Sequence, residues 1–249
     1  MVPAGFGDRV EGLNAVRAAA AAGRVLELWI ESHRLRGAAD IAEKVEGGGG
    51  TVHVVESVAG RADTEAPQGV VARCRLLPLI PLDGVSSGPA PALMVLDHIT
   101  DPHNLGAIAR SVQAAGFTGL VVPARRAAPL SAAAFKAAAG ALERLPVVMV
   151  NSIADALSRL QRIGIWSVGL DTRGEADLFG LALLTEPVAI VVGSEGAGLS
   201  PLVRQRLEVT AQIPLAGEVE SLNVSVAAAL AAFEVQRVRA PSTPARDVT

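Results

Sequence analysis

Residues 93–122 read LMVLDHITDPHNLGAIARSVQAAGFTGLVV. An apolar run ends at Leu96, the Asp101-Pro102 turn breaks it, a helical stretch begins near Asn104 with Arg110 about two turns into it, and a second apolar run follows at 120–122. The same rhythm continues through VVMV (147–150), IWSVGL (165–170) and VAIVV (188–192). A last strand, Thr210 to Ile213, then leads through a loop into a long helix from about Asn223 to Val238. Apolar strands alternating with helices predict an α/β fold, a parallel sheet covered on both faces.

Toward the N-terminus the spacing predicts a helix from Glu11 to Ala22, a strand at 25–30, and a second helix near Ala38 to Val45. Four glycines at 47–50 stop that helix, and TVHVVES (51–57) and Gly69–Cys74 read as further strands. Pro78, Pro81, Pro89 and Pro91 with the Ser86-Ser87-Gly88 triplet break any regular element between the two halves. The expected division is a first domain at 1–75, a linker at 76–91, a second domain at 92–240 and an unstructured tail at 241–249.

Composition narrows the function classes. The 249 residues are 50% apolar and 19% charged, enough to close a substantial core. An aromatic content of 3%, with no Tyr, is thin for a module that stacks bases on aromatic platforms. The formal charge is −3, divided as −1 over residues 1–75 and −2 over the rest, so any nucleic-acid site has to be local. Candidate patches are Arg34, Arg36, Arg125 and Arg126. Cys74, the single cysteine, lies in an apolar strand and reads as a buried structural thiol. It leaves no cysteine-based metal site, and His98 and His103 across an Asp-Pro turn do not make one either, so no metal is expected. No apolar run reaches the roughly 18 residues of a membrane span. Asp8 and Glu11 stand where an export signal would be apolar, so the cytoplasm is the expected compartment.

Three segments place polar residues and glycines at strand ends, where open α/β sheets bind ligands. The first holds Asn104, which could cap its helix, and Arg110. The second, IVVGSEGAGLS, contains Gly193 and Glu195; its G-x-x-G-x-G spacing matches neither a dinucleotide fold nor a phosphate-binding P-loop. The third, IPLAGEVESLNVS, runs from Ile213 through Ser221, Leu222 and Asn223, and Ser221 or Asn223 could cap the last helix. No G-x-S-x-G elbow of a serine hydrolase is present.

Together these segments resemble the SpoU group of the SPOUT superfamily, RNA ribose 2′-O-methyltransferases that use S-adenosylmethionine. D-P-x-N-x-G-A-I-x-R at 101–110 looks like the first family motif, V-V-G-S-E-G-x-G-L at 191–199 like the second, and I-P-x-x-G-x-V-E-S-L-N-V-S at 213–225 like the third. Residues 1–75 resemble the ribosomal-protein-L30e-type RNA-binding domain of the ribosomal branch, on VEGLNAVRAA and PQGVVA. Pro67 stands where that branch commonly has His, and Ala138 where it commonly has Ser.

The resemblance implies a trefoil-knotted parallel sheet behind an L30e-like domain. It implies S-adenosylmethionine held largely by backbone groups at Gly193, Ile213 and Leu222, and a homodimer packed through the knotted domain. It also implies methylation of a ribose 2′-oxygen, of a 23S rRNA guanosine in the branch resembled. A tRNA guanosine, a 23S rRNA adenosine of the resistance type, or a noncatalytic RNA-binding assembly factor are the alternatives. Arg110 matches the residue to which hydroxyl activation is ascribed in the family. A guanidinium with a pKa above about 12 is a poor base, so an electrostatic clamp on the developing alkoxide or a neighbouring phosphate is expected. Asn104 would orient the ribose or Arg110, Glu195 would anchor an arginine, and Ser221 and Asn223 would complete the substrate edge.

Overall fold

The computed structural model describes residues 6–240. The tail expected at 241–249 lies outside them.

The first sheet holds β1 (Arg9–Glu11), β2 (Val25–Glu31), β3 (Thr51–Val55) and β4 (Val70–Cys74) in the order β1-β4-β2-β3. Only β2 and β3 run parallel; β4 is antiparallel to both of its neighbours. Helices α1 (Leu13–Ala21) and α2 (Ala39–Gly47) accompany it, and Val16, Ala19, Ile41 and Val45 join Leu28 and Ile30 in one buried cluster. The helix expected from Glu11 begins two residues later, because Gly12 sits at φ +86° and ends a short strand instead. Glu11 is fully buried and accepts from the amide and hydroxyl of Thr64. A carboxylate bound in this way belongs to the sheet.

Residues 76–91 are not bare linker. Leu77 is buried, Leu79 forms an isolated parallel bridge with Val147, and Pro81 introduces the one-turn helix α3 (Leu82–Val85). The apolar side chains between the prolines explain the difference, since Leu82 and Val85 pack beneath the second sheet.

That sheet has seven strands, all parallel, in the order β7-β6-β5-β10-β8-β11-β9. They are β5 (Ala92–Asp97), β6 (Gly119–Pro123), β7 (Val147–Val150), β8 (Trp166–Leu170), β9 (Ala176–Asp177), β10 (Val188–Gly193) and β11 (Val209–Gln212). Both faces are covered, as the alternation predicts. Met94, Leu96, Ile190 and Val192 face the layer of α4 (Pro102–Ala114), α5 (Ala132–Ala138) and α8 (Val224–Arg239). Leu93, Val95 and Val191 face α6 (Ile153–Arg162) and α7 (Pro201–Arg204). Burial on both sides is why these strands read as unbroken apolar runs. No helix among the described residues is long and apolar enough to cross a membrane.

The two sheets are joined by more than chain connectivity. Arg24, after α1, makes a two-bond ion pair with Glu143 at 2.8 and 2.6 Å, with side chains only 7% and 2% exposed. The same guanidinium lies 5.4 Å from the Phe135 ring centre on α5 and donates to the Gly7 carbonyl.

Candidate active site

Strands β5 and β10 are hydrogen-bonded neighbours, yet the chain leaves β5 into α4 on one face and β10 into α7 on the other. That divergence opens a crevice at the carboxyl ends of the strands, where open α/β sheets take their ligands. A cavity of about 1200 Å³ lies beside it, at the ends of β8, β10 and β11, and is lined by Leu170, Gly193, Glu195, Ile213, Leu222 and Asn223 among others.

The second motif turns sharply after β10. Ser194 and Gly198 exchange backbone hydrogen bonds of 3.1 and 2.9 Å, with Gly196 and Gly198 at φ +79° and +66°. A Cβ on Gly193 would stand 2.2 Å from the carbonyl carbon of Gly198. This glycine is therefore demanded by its own loop.

The turn projects Glu195 toward two amides from distant segments. Its Oε1 accepts from Asn104 Nδ2 at 2.9 Å and from Asn223 Nδ2 at 2.9 Å, while Asn223 Nδ2 also donates to Asn104 Oδ1 at 3.2 Å. Glu195 thus anchors two asparagines where an arginine was expected. Nor does Asn104 cap its helix. Asp101 is the cap, accepting from the His103 amide at 2.8 Å, and Pro102 at the first helical position starts α4 two residues before Asn104. Asn104 lies inside the first turn, 8% exposed, free to serve the network. Asn223 does both jobs: its Oδ1 caps α8 by accepting from the Ser225 amide at 2.8 Å, and its amide joins Glu195.

Ser221 is exposed on the cavity wall. Arg110 stands apart. Six residues beyond Asn104 on α4, it is exposed, takes no part in the three-residue network, and lies outside the cavity lining.

Two residues at these strand ends escape sequence reasoning. Asp97, fully buried at the end of β5, accepts from the Ser200 amide at 2.7 Å and meets His98 Nδ1 at 2.6 Å, so it ties β5 to the start of α7. Asp171, after β8, pairs with Arg204 on the cavity wall and accepts from the Arg173 amide at 2.8 Å. An acidic residue closing a buried apolar run is the signal common to Asp97 and Asp171. Cys74 is buried, as expected, and desolvation pushes its thiol up to about 12.

A family model described as the SpoU rRNA Methylase family matches residues 91–233. The 23S rRNA (guanosine-2′-O-)-methyltransferase RlmB of Ralstonia nicotianae is 42% identical over 189 residues, covering 74% of this chain and 75% of that protein. RlmB of Vibrio parahaemolyticus is 43% identical over 178 residues, covering 69% and 71%. The crystal structure of the SpoU methyltransferase AviRb from Streptomyces viridochromogenes, in complex with AdoMet, matches with a TM-score of 0.78 at 27% identity, over 93% of this chain and 90% of that one. Three motifs meeting at one sheet edge and a family match over most of the second sheet lead to one conclusion: the chain belongs to the SpoU rRNA methylase family.

Proposed function

We propose that the protein transfers a methyl group from S-adenosylmethionine to the ribose 2′-oxygen of a guanosine in 23S rRNA. The observation that carries this reading is the hydrogen-bonded network of Asn104, Glu195 and Asn223, one residue from each motif, beside a cavity lined by Gly193, Ile213 and Leu222. The named function of the RlmB relatives and the AdoMet complex of the AviRb neighbour supply substrate and cofactor.

The cavity fits the cofactor in size and in character. Leu170, Ile213 and Leu222 offer apolar surface for an adenine ring, and the loop backbones at 193–198 and 213–222 offer donors and acceptors for its edges. Bound S-adenosylmethionine supplies an electrophilic sulfonium methyl group. The protein's own work is alignment and charge compensation. Glu195 fixes the two amides, and through them the start of α4 relative to the start of α8. Ser221 offers a hydroxyl to the ribose edge. Arg110, outside the cavity lining, is assigned to the RNA side as a clamp on the developing alkoxide or the adjacent phosphate.

In this reading the second sheet is threaded as a trefoil knot, residues 1–75 are an L30e-like RNA-binding domain joined through 76–91, and the enzyme works in the cytoplasm as a homodimer. Val226, Leu230 and Phe233 support the dimer: spaced along α8, they are 48%, 37% and 47% exposed.

The test is transfer of labelled methyl from S-adenosylmethionine to unmodified 23S RNA and, separately, to bulk tRNA. Label in 23S RNA alone is expected. Label in tRNA alone overturns the substrate, and cofactor uptake without transfer to either RNA favours an assembly factor.

A further inference from the structure

From Pro102 to Leu142 the chain has 41 residues and no carboxylate, the longest such stretch in the sequence. At 25 acidic residues in 249, about four would fall there by chance; instead it carries Arg110, Arg125, Arg126 and Lys136. In a protein of net charge −3, this is a concentrated positive field. The stretch is spatially compact, since it comprises α4, β6, the following loop and α5, and α4 packs closely on α5: a Cβ on Gly106 would stand 2.4 Å from the Ala134 carbonyl oxygen.

Arg125 and Arg126 lie in the loop after β6, at the same sheet edge as the candidate active site. Both are exposed, and neither side chain makes a hydrogen bond or ion pair among the described residues. Arg126 holds φ +56°, a left-handed conformation that disfavours a residue with a side chain. The loop is tied to the turn that precedes the first motif by the Ala128 amide, which donates to the Ile99 carbonyl at 2.6 Å.

Cationic side chains also stand at the N-terminal sheet, with the Glu31 carboxylate among them beside Gly69. Lys136 on α5 donates to the Ala66 carbonyl, and its stem lies beside Gly12, as does the Gln68 side chain. Next to Gln68, Gly69 is overlaid by the stem of Arg34: a Cβ there would stand 2.7 Å from Arg34 Cγ. Arg34 and Arg36 are exposed in the segment Ser32–Ala38 after β2, again with no polar side-chain partner among the described residues. Cations thus stand at the loop after β6, at Lys136 on the seven-residue α5, and at the exit of β2.

We propose that Arg125 and Arg126 at one end, and Arg34 and Arg36 at the other, bind phosphates of the same RNA molecule. Guanidinium groups suit the task because each can take two phosphate oxygens at once. The inference rests on the RNA-methyltransferase reading and adds to it the cations by which the N-terminal sheet and the active site hold the same RNA.

The test is binding of unmodified 23S RNA transcript, without cofactor, across a salt series. Arg125→Gln with Arg126→Gln, and separately Arg34→Gln with Arg36→Gln, are each expected to weaken binding about tenfold or more and to reduce the slope of log affinity against log salt by about 1–2, as for the loss of two phosphate contacts. Arg206→Gln, an exposed arginine beyond α7 and outside both pairs, is expected to change neither. Unchanged affinity and slope for either pair overturns the joint binding, as does an equal loss in Arg206→Gln. Since cofactor is absent, a protein that methylates 23S RNA but shows unchanged slopes keeps the proposed function and loses the joint binding.

Discussion

At the residue scale, Glu195 holds a position out of proportion to its exposure. One carboxylate oxygen accepts from two amides that lie 91 and 28 residues away. Removing it breaks two hydrogen bonds at a partly solvated site, so Glu195→Ala is expected to lower stability by only about 1 kcal/mol. Its effect on turnover is larger. Displacing Asn104 and Asn223 misaligns the reacting groups, and kcat is expected to fall about 100-fold with little change in cofactor affinity. Glu195→Gln, whose amide oxygen can accept from both asparagines, restores most of the rate. Steady-state kinetics with cofactor titration checks this; equal loss in both variants would mean that the charge, and not the geometry, matters. None of these pairings was legible in the sequence. Sequence places Asn104, Glu195 and Asn223 at three strand ends, but which atoms meet depends on how three loops fold over one sheet edge. Glu195 could equally have met a guanidinium until the structure put Arg110 elsewhere.

At the element scale, the parallel strands β5 to β8, β10 and β11 were readable because burial on both faces leaves continuous apolar runs. Elements without such a pattern were not. The three-residue β1 is hidden in what looks like a helix start, and the two-residue β9 has too few side chains to show any period. Helix α4 starts two residues before Asn104 because an Asp-Pro pair supplies both a cap and a first-turn proline, competing with Asn104 for the role. Helix α8 carries a testable electrostatic element. Glu234 is buried in its middle, accepting from the Gly180 amide at 2.8 Å, and the Arg237 guanidinium holds its carboxyl below the usual carboxylate range. A depressed folded-state pKa contributes stability that is full above the unfolded carboxylate value, near 4.3, and is lost as pH falls through the folded value. The difference in urea midpoint between the protein and Glu234→Gln is therefore expected to be largest at neutral pH and to shrink in acid. A difference that grows on acidification would contradict the ion pair.

At the scale of the whole molecule, the question is how rigidly the N-terminal sheet is mounted. Proline-rich sequence between the halves suggested a tether, but Leu77, Leu82 and Val85 are buried, and Arg24 is locked to Glu143 across the junction. Arg24→Ala would leave the Glu143 carboxylate, 2% exposed, without its counterion, at a cost of about 3–5 kcal/mol in unfolding free energy. Equilibrium urea unfolding checks this, and a loss below about 1 kcal/mol would mean that the junction opens to water. A fixed mount suits the proposed binding of one RNA by the N-terminal sheet and the active site together.

The sheet edge gathering the three motifs is proposed to perform 2′-O-methyl transfer. That activity is tested most directly by digesting 23S RNA, after reaction with labelled S-adenosylmethionine, to nucleosides, and comparing the protein with Arg110→Ala. The predicted result is label in 2′-O-methylguanosine, lost in Arg110→Ala although that variant still binds the cofactor. Label in a base-methylated nucleoside, or undiminished transfer by Arg110→Ala, would contradict it.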